Sequence, residues 1–328
     1  MGNINELNIL AIGGGKGGVG KSIISANIGF CLSQLGHKVV CLDADLGGAN
    51  LHTLLGVKYP LVTLNDFFRK KVSHISDTLI ETEFSNLYLI SGANGILELA
   101  NPKYAQKAKL INSLKTLEAD YLILDLGAGS GYDVLDFFTM ASGKIVVASP
   151  EPTSIQNVYG FLKIALVRAL LRKFSYNKPL VELIKTSLHS SNASTSEKLM
   201  EELIEKATVL DNDVVRVFTE TLNEFKVQLI LNNISSENQK KTGTILETVA
   251  DKFLSMRLMT AGSIHHDPYV SKSVIQMKPF MNLFPECQAA RDIREIEEKL
   301  RMEFHGFHLK RNINAALRSI DPSMITHH

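Results

Sequence analysis

Short apolar runs alternate along the chain with longer segments of helical periodicity. The runs are bounded mainly by Gly, Asp, Asn or Pro and lack strict apolar–polar alternation, which is typical of strands covered on both faces. They occupy residues 7–13, 38–43, 87–92, 121–125, 144–149, 227–232 and 257–262. Because helical patterns separate most of them, the sequence predicts an α/β fold with a doubly wound, mostly parallel sheet and helices on both faces. In such sheets, ligands bind at the carboxyl ends of the strands.

Two regions depart from this alternation. Residues 155–225 contain only helical patterns, although a normal crossover between parallel strands needs only about a dozen residues. We therefore predict a helical insertion at 165–225, and the charged pattern at 286–320 predicts a helical C-terminus. The expected organisation is a single domain over 1–300 that contains the insertion, followed by a helical tail over 301–328.

The composition excludes several classes of protein. Hydrophobic residues make up 45% of the 328 residues, enough for a sizeable core, and the net charge of +1 gives no global support for a nucleic-acid partner. Cys31 and Cys41 lie in apolar patterns and are expected in the core, and no C-x-x-C pair occurs, so a reducing compartment fits. The N-terminus lacks the pattern of a signal peptide and no apolar run is long enough to span a membrane, so we expect a cytoplasmic protein.

The stretch GGGKGGVGKS, residues 13–22, lies between the first strand pattern and a helical pattern. Gly15, Gly20, Lys21 and Ser22 satisfy the phosphate-binding pattern G-x-x-x-x-G-K-[ST] in the strand–loop–helix context that it requires. The backbone N–H groups can wrap the phosphates of ATP, Lys21 can neutralise the β- and γ-oxygens, and the Ser22 hydroxyl can ligate Mg²⁺. The residues expected to bind the nucleotide here are Gly15, Gly17, Gly18, Val19, Gly20, Lys21, Ser22 and Ile23.

The loop contains a second lysine, Lys16, which this pattern does not require. The string KGGVGKS, residues 16–22, resembles the deviant P-loop of the MinD/ParA superfamily of ATPases. The resemblance implies an ATP-dependent homodimer in which Lys21 serves the ATP of its own subunit and Lys16 reaches the ATP of the partner. A cation supplied in this way follows the logic of an arginine finger. A solvated lysine without such a role is the alternative.

Two more segments extend the resemblance. Residues 42–56 resemble the first switch of the family, which implies that Asp45 orients the attacking water and touches the Mg²⁺ shell, and that Asn50 is a switch residue. Residues 121–138 resemble the Walker B strand and the second switch, with Asp125 at the end of an apolar strand, where it would hold a metal-bound water. The catalytic residues implied are Lys16, Lys21, Asp45 and Asp125, and the metal-binding residues are Ser22, Asp45 and Asp125.

The segment 146–163 is similar to the flagellar-number-regulator branch of this superfamily. The family also implies that Asn232, at the end of a strand pattern, binds the adenine edge. Three features depart from the relatives. Ile23 replaces a hydroxyl residue that would bond the α-phosphate, the insertion at 165–225 is longer than in MinD, and only a few residues precede the first strand pattern where the flagellar branch often has an activator motif.

The resemblance implies an ATPase switch that needs Mg²⁺, dimerises with ATP and takes part in positioning or number control of a structure such as flagella or the division site. Its protein partner has no recognisable motif. A ParA-like DNA-segregation ATPase and a metabolic ligase on the same fold are the alternatives, although the net charge of +1 does not favour DNA. Iron–sulfur relatives need paired cysteines that bridge subunits, and Cys31, Cys41 and Cys287 do not match such positions.

Two segments combine apolar and basic residues, as helices that bind membranes do. The segment 161–174 directly follows a strand pattern, which favours packing on the sheet. MinD and the flagellar branch end in a membrane-targeting helix, which makes the segment 308–320 the better candidate, and both peripheral membrane contact and packing on the protein remain open for it. The apolar face of this second segment consists of Leu309, Ile313, Ala316, Leu317 and Ile320.

Four histidines form two sequence pairs, His265 with His266 and His305 with His308. No Cys, Asp or Glu stands at a supporting ligand spacing. We expect these histidines to be surface or core residues.

Overall fold

A computed structural model gives the structure of the protein. It describes residues 7–45, 48–92, 104–190, 199–210 and 212–319, and in the last helix it describes side chains up to Phe304.

The sheet has eight strands in the order β3-β4-β2-β5-β1-β6-β7-β8. All neighbours are parallel except β3, which pairs antiparallel with β4. The strands are β1 (Asn8–Gly13), β2 (Val39–Asp43), β3 (Ile80–Glu81), β4 (Leu87–Ile90), β5 (Tyr121–Asp125), β6 (Gly143–Ala148), β7 (Val227–Ile234) and β8 (Leu258–His265). The seven predicted strands are confirmed. Strand β3 was not predicted, because two residues are too short to show a period.

The helices cover both faces of this sheet, as predicted. They are α1 (Lys21–Gln34), α2 (Leu51–Leu54), α3 (Leu64–Phe68), α4 (Tyr104–Leu114), α5 (Tyr132–Met140), α6 (Pro152–Lys173), α7 (Lys178–Ser190), α8 (Leu199–Leu210), α9 (Asn212–Glu224), α10 (Lys241–Leu254), α11 (Pro268–Ile275), α12 (Phe280–Leu283) and α13 (Gln288–Ser319). Helices α1, α12 and α13 bury apolar side chains on one face, and α5, α6 and α10 do so on the other. Strand β1 is central, between β5 and β6, which places the loop after it in the middle of the sheet's carboxyl edge.

The predicted helical insertion consists of the end of α6 and helices α7, α8 and α9. Helix α6 buries Phe161, Leu166 and Leu170 in the core. The prediction that the segment 161–174 packs on the sheet is therefore confirmed. The rings of Phe174 and Phe218 stack with centroids 6.0 Å apart, which joins the end of α6 to α9. The insertion is thus anchored to the sheet by its first helix.

Helix α13 runs without a break across residues 300 and 301. Its first half buries Ile293, Ile296 and Leu300 in the core. Phe304 packs so closely on Gly143 that a Cβ at this glycine would overlap its ring. The apolar face predicted for 308–320 lies beyond the described side chains, and the proposed division into 1–300 and 301–328 stays a prediction. No helix in the described part of the chain has the length and apolar character needed to cross a membrane.

Candidate functional site

The loop between β1 and α1 has the backbone of a phosphate cradle. Gly18 and Gly20 adopt φ of 78° and 97°, left-handed values that favour glycine. Gly20 precedes α1, and no side chain caps the helix there. The first N–H groups of α1 are therefore available to an anion, and the helix dipole adds positive potential at the same place.

Two glycines allow the loop to touch other parts of the fold. A Cβ at Gly15 would overlap the carbonyl group of Asn157 in α6, and a Cβ at Gly20 would overlap the amide of Asn232 at the end of β7. The Asn232 amide donates to the carbonyl oxygen of Val19 at 2.8 Å. Asn232 thus braces the loop from β7, two strands away from β1, and its amide oxygen is the group that could accept a hydrogen bond from the amino group of adenine.

Lys21 lies at the first position of α1 and is 8% exposed. Its ammonium donates to the carbonyl oxygen of Lys16 at 3.3 Å. Burial lowers the pKa of Lys21, whereas the negative charges of Asp125 and Asp45 oppose this effect. A buried lysine beside two carboxylates is well placed to neutralise phosphate oxygens.

Asp125 ends β5 and is 2% exposed. It stands beside Ile12 of β1 and Asp43 of β2, so its carboxylate lies at the carboxyl edge next to the loop. Ser25 of α1 donates to its Oδ1 at 3.0 Å. Burial raises the pKa of Asp125 to about 6, although hydrogen bonds from Ser22 and Ser25 lower it. The carboxylate therefore lacks full charge compensation and would gain from a cation.

Asp43 is a residue that our sequence interpretation missed. It is 1% exposed, and its two oxygens accept from the backbone N–H groups of Asp45 at 3.1 Å and Leu51 at 2.8 Å. Burial and the neighbouring Asp125 raise the pKa of Asp43 to about 7. The signal was present in the paired aspartates of LDAD, where a charge ends a fully apolar strand. Asp43 fixes both ends of the segment that contains Asp45.

Asp45 is half-buried, and one of its oxygens accepts from the N–H group of Gly48 at 3.1 Å. A Cβ at Gly127 would lie 3.2 Å from the Asp45 carboxyl carbon, so the two predicted switch segments meet here. Asn50 is exposed and donates to the Gly48 carbonyl oxygen at 2.8 Å. The switch segments are thus brought together around Asp45.

Lys16 is placed quite differently from Lys21. Its side chain is 43% exposed, and its ammonium lies 3.4 Å from a carboxylate oxygen of Glu151 and 3.5 Å from the Thr153 hydroxyl. An ion pair this exposed contributes at most about 1 kcal/mol. Lys16 can therefore leave Glu151 at little cost.

The remaining predicted residues line the same edge. Gly17 and Gly18 are exposed, Ser22 and Ile23 are half-buried, and Ile23 packs against the α1 layer of the core. The Ser22 hydroxyl lies close enough to Asp125 to lower the pKa of that carboxyl. Because Ile23 offers no hydroxyl, the α-phosphate would depend on backbone N–H groups there.

These residues fit ATP and Mg²⁺ on their chemistry. The loop and the start of α1 present N–H donors for phosphates. Asp45 and Asp125 act on the ammonium of Lys21, Asp43 lies beside these two carboxyl groups, and the pKa values of Asp43 and Asp125 are raised. Hydroxyl and carboxylate oxygens are ligands that Mg²⁺ prefers. The site therefore suits a divalent cation held between phosphates and these carboxylates.

The histidines of the chain have other contacts. His265 lies 2.9 Å from Asp292 and 3.7 Å from Glu237. Both carboxylates are distant in sequence, so the spacing of residues around His265 did not predict them. His266 bonds Asn233 at 2.8 Å. Among the described residues, no group of three or more His, Cys, Asp or Glu side chains is arranged to hold a metal ion. The side chains of His305 and His308 lie outside the description.

Comparison with known proteins adds three findings. A model of the ParA family, described as NUBPL iron-transfer P-loop NTPase, matches residues 5–169. The antiactivator FleN of Pseudomonas aeruginosa is 27% identical over 92% of this chain and 88% of its own length. The flagellum site-determining protein YlxH of Helicobacter pylori is 35% identical over 49% of this chain and 55% of its own.

Solved structures confirm the fold. The septum site-determining protein MinD of Pyrococcus horikoshii, complexed with Mg-ADP, superposes with a TM-score of 0.61 at 20% identity, over 90% of this chain and 96% of its own. A chain of the MinC:MinD cell division protein complex from Aquifex aeolicus superposes with a TM-score of 0.58 at 20% identity, over 90% of this chain and 95% of its own.

Proposed function

Because this chain belongs to the ParA family of P-loop NTPases, we propose that it is an ATPase switch that dimerises with ATP. Its role would be the placement or number control of a cellular structure such as flagella or the division site. The observation behind the proposal is the contrast between the two loop lysines, one buried among carboxylates and one exposed. The names of relatives support the role, since they include an antiactivator, a flagellum site-determining protein and a septum site-determining protein.

Each residue of the site would have a distinct task in hydrolysis. The loop N–H groups and Lys21 hold the phosphates, while Asn232 faces the adenine. Ser22, Asp45 and Asp125 would hold Mg²⁺, directly or through its water shell. Mg²⁺ supplies charge neutralisation on the phosphate oxygens. Asp45 orients the water that attacks, which acts mainly on the transition state.

Lys16 would act on the nucleotide of a second copy of the chain. On its own subunit it points to Glu151 and Thr153, away from the carboxylates around Lys21. A partner's phosphates would replace an exposed carboxylate as its counter-ion. The homodimer would then form only when ATP is bound, which makes the dimer the signal that an unidentified protein partner reads.

Three other roles fit less well. The first is iron transfer, which the family model names. Cys31 and Cys41 are buried, and burial raises the pKa of the Cys31 thiol to about 11, so this thiol is poorly suited to bind iron. Cys287 is half-buried and lies far from both in sequence. A DNA-segregation ATPase remains the alternative among the switches. A metabolic ligase on this fold would have no use for Lys16.

We expect Asp45→Ala to keep ATP binding and lose hydrolysis, so that the ATP-bound dimer accumulates. The measurements are ATP turnover and the mass of the particle by light scattering, with ATP, with ADP and without nucleotide. Wild-type protein should be dimeric only with ATP. A variant that turns over ATP normally with reduced affinity would make Asp45 a binding residue, and a wild-type protein that is monomeric with ATP would contradict the switch.

We expect a variant that lacks residues 307–328 to keep its fold and its ATP turnover, because all eight strands and the packing of Phe304 on Gly143 precede the deletion. If the tail is a peripheral membrane anchor and not a packing element, co-sedimentation with anionic liposomes in ATP should fall in the truncated protein. The full chain is the control. Failure of the full chain to bind liposomes would contradict the membrane role and leave the tail as a packing element.

A further inference from the structure

Ser25 lies one turn into α1, four residues after Lys21, and is fully buried. Its hydroxyl is 3.0 Å from the carbonyl oxygen of Lys21 and 3.0 Å from Asp125 Oδ1. The first contact is one that any helical serine can make with the residue four positions earlier. The second joins α1 to β5 across 100 positions of sequence.

The Asp125 carboxylate needs an external group to set its orientation. The terminal torsion of an aspartate is broad, so a carboxylate turns easily unless a hydrogen bond holds it. Asp125 is 2% exposed, so water gives it little help. The Ser25 hydroxyl on Oδ1 restricts this torsion from the buried side of α1, in addition to the hydrogen bond from Ser22 at the start of the helix.

We infer that Ser25 is a positioning residue that turns the Asp125 carboxylate toward the Mg²⁺ shell. The inference rests on the proposed function, since it deepens the role of the same site. The side-chain contacts of Ser25 are to the Lys21 carbonyl oxygen and to Asp125. Ser25 acts through Asp125, in the way that outer partners of metal-binding groups tune metal affinity.

The same helix contains a matched control. Ser33 is also buried, at 3% exposed, and its hydroxyl donates to the carbonyl oxygen of Phe30 at 2.8 Å. It lies eight residues after Ser25, about 12 Å further along an α-helix. Ser33→Ala therefore removes a buried hydroxyl of the same helix without touching Asp125.

The experiment measures the affinity for a fluorescent ADP as free Mg²⁺ is raised from an EDTA solution to saturation. We expect Ser25→Ala to bind ADP in EDTA as the wild type does, and to need about ten- to a hundredfold more Mg²⁺ to reach the tight-binding state. Ser33→Ala should keep the wild-type Mg²⁺ midpoint. Ser25→Cys, which keeps a weak donor of similar size, should fall between them and serves if Ser25→Ala does not fold.

Several results would overturn the inference. One is a Mg²⁺ midpoint of Ser25→Ala equal to that of Ser33→Ala, with only the melting temperature lowered. Another is an equal loss of ADP affinity in EDTA and in Mg²⁺, which would place the effect in the phosphate loop. If the wild type binds no ADP in either condition, the proposed function itself fails, and the inference with it.

Discussion

Lys16→Ala is expected to bind ATP with near-normal affinity, to remain monomeric with ATP, and to lose turnover by a factor of about 10³ or more, the usual worth of a cation supplied across an interface in phosphoryl transfer. Binding persists because Lys21 and the loop N–H groups are untouched. Lys16 does not belong to the cluster of Lys21, Asp45 and Asp125, and 43% of its side chain is exposed. The measurements are calorimetry for ATP, light scattering for the dimer, and steady-state turnover.

Mixing two inactive variants separates action across the dimer from action within one subunit. In a mixed dimer of Lys16→Ala and Asp45→Ala, one site receives its lysine from one chain and its aspartate from the other, and the second site lacks both. We therefore expect part of the activity to return on mixing. If mixed dimers form and no activity returns, Lys16 acts within its own subunit and the proposed switch loses its central element.

Glu151→Gln is the matched control for Lys16. It removes the exposed carboxylate that Lys16 contacts at 3.4 Å and leaves the lysine itself in place. Because such a pair is worth at most about 1 kcal/mol, we expect ATP binding and turnover close to those of the wild type. A loss as large as that of Lys16→Ala would mean that the ion pair, and not the free lysine, is what the site needs.

Lys21→Ala is expected to abolish ATP binding. Hydrogen bonds from a charged donor contribute about 1.5–3 kcal/mol each, and Lys21 would make two of them to the β- and γ-oxygens. Its loss also leaves the buried Asp125 without the cation that faces it, so the phosphates would meet an uncompensated negative charge. Calorimetry with ATP and Mg²⁺ gives the result directly.

Lys144→Met controls for the removal of a lysine that is largely shielded from water. Lys144 lies near the start of β6, at the amino ends of the strands and so away from the phosphate loop at their carboxyl ends. Its ammonium donates to the Ala141 carbonyl oxygen at 2.8 Å. Burial lowers the pKa of Lys144 to about 8, so its ammonium loses its proton more easily than that of an exposed lysine. We expect this variant to bind ATP normally. Near-normal ATP affinity in Lys21→Ala would refute the assignment of the phosphate loop.

The sequence by itself determined seven of the eight strands and the position of a glycine-rich loop with two lysines between the first strand and the first helix. Strands covered on both faces are continuous apolar runs, and a phosphate loop is a local chain of glycines with a lysine, so both are visible within a few residues. The place of Asp125 at the end of a buried strand was predicted for the same reason, since a charge that ends an apolar run stands out. The short strand Ile80–Glu81 was missed because two residues cannot show a period.

Only the tertiary structure decided which side chains hold the loop, Asp45 and Asp125 in place. Asp43 acts on the backbone of Asp45 and Leu51, Ser25 reaches Asp125 across 100 positions, and Asn232 reaches Val19 across 213. A serine in a helix and an asparagine near the end of a strand can form hydrogen bonds with many local groups, so the residue type alone predicts no partner. Their partners depend on which strands are neighbours in the sheet and on the depth at which α1 packs, and hydrogen bonds over such separations exist only once those elements have assembled.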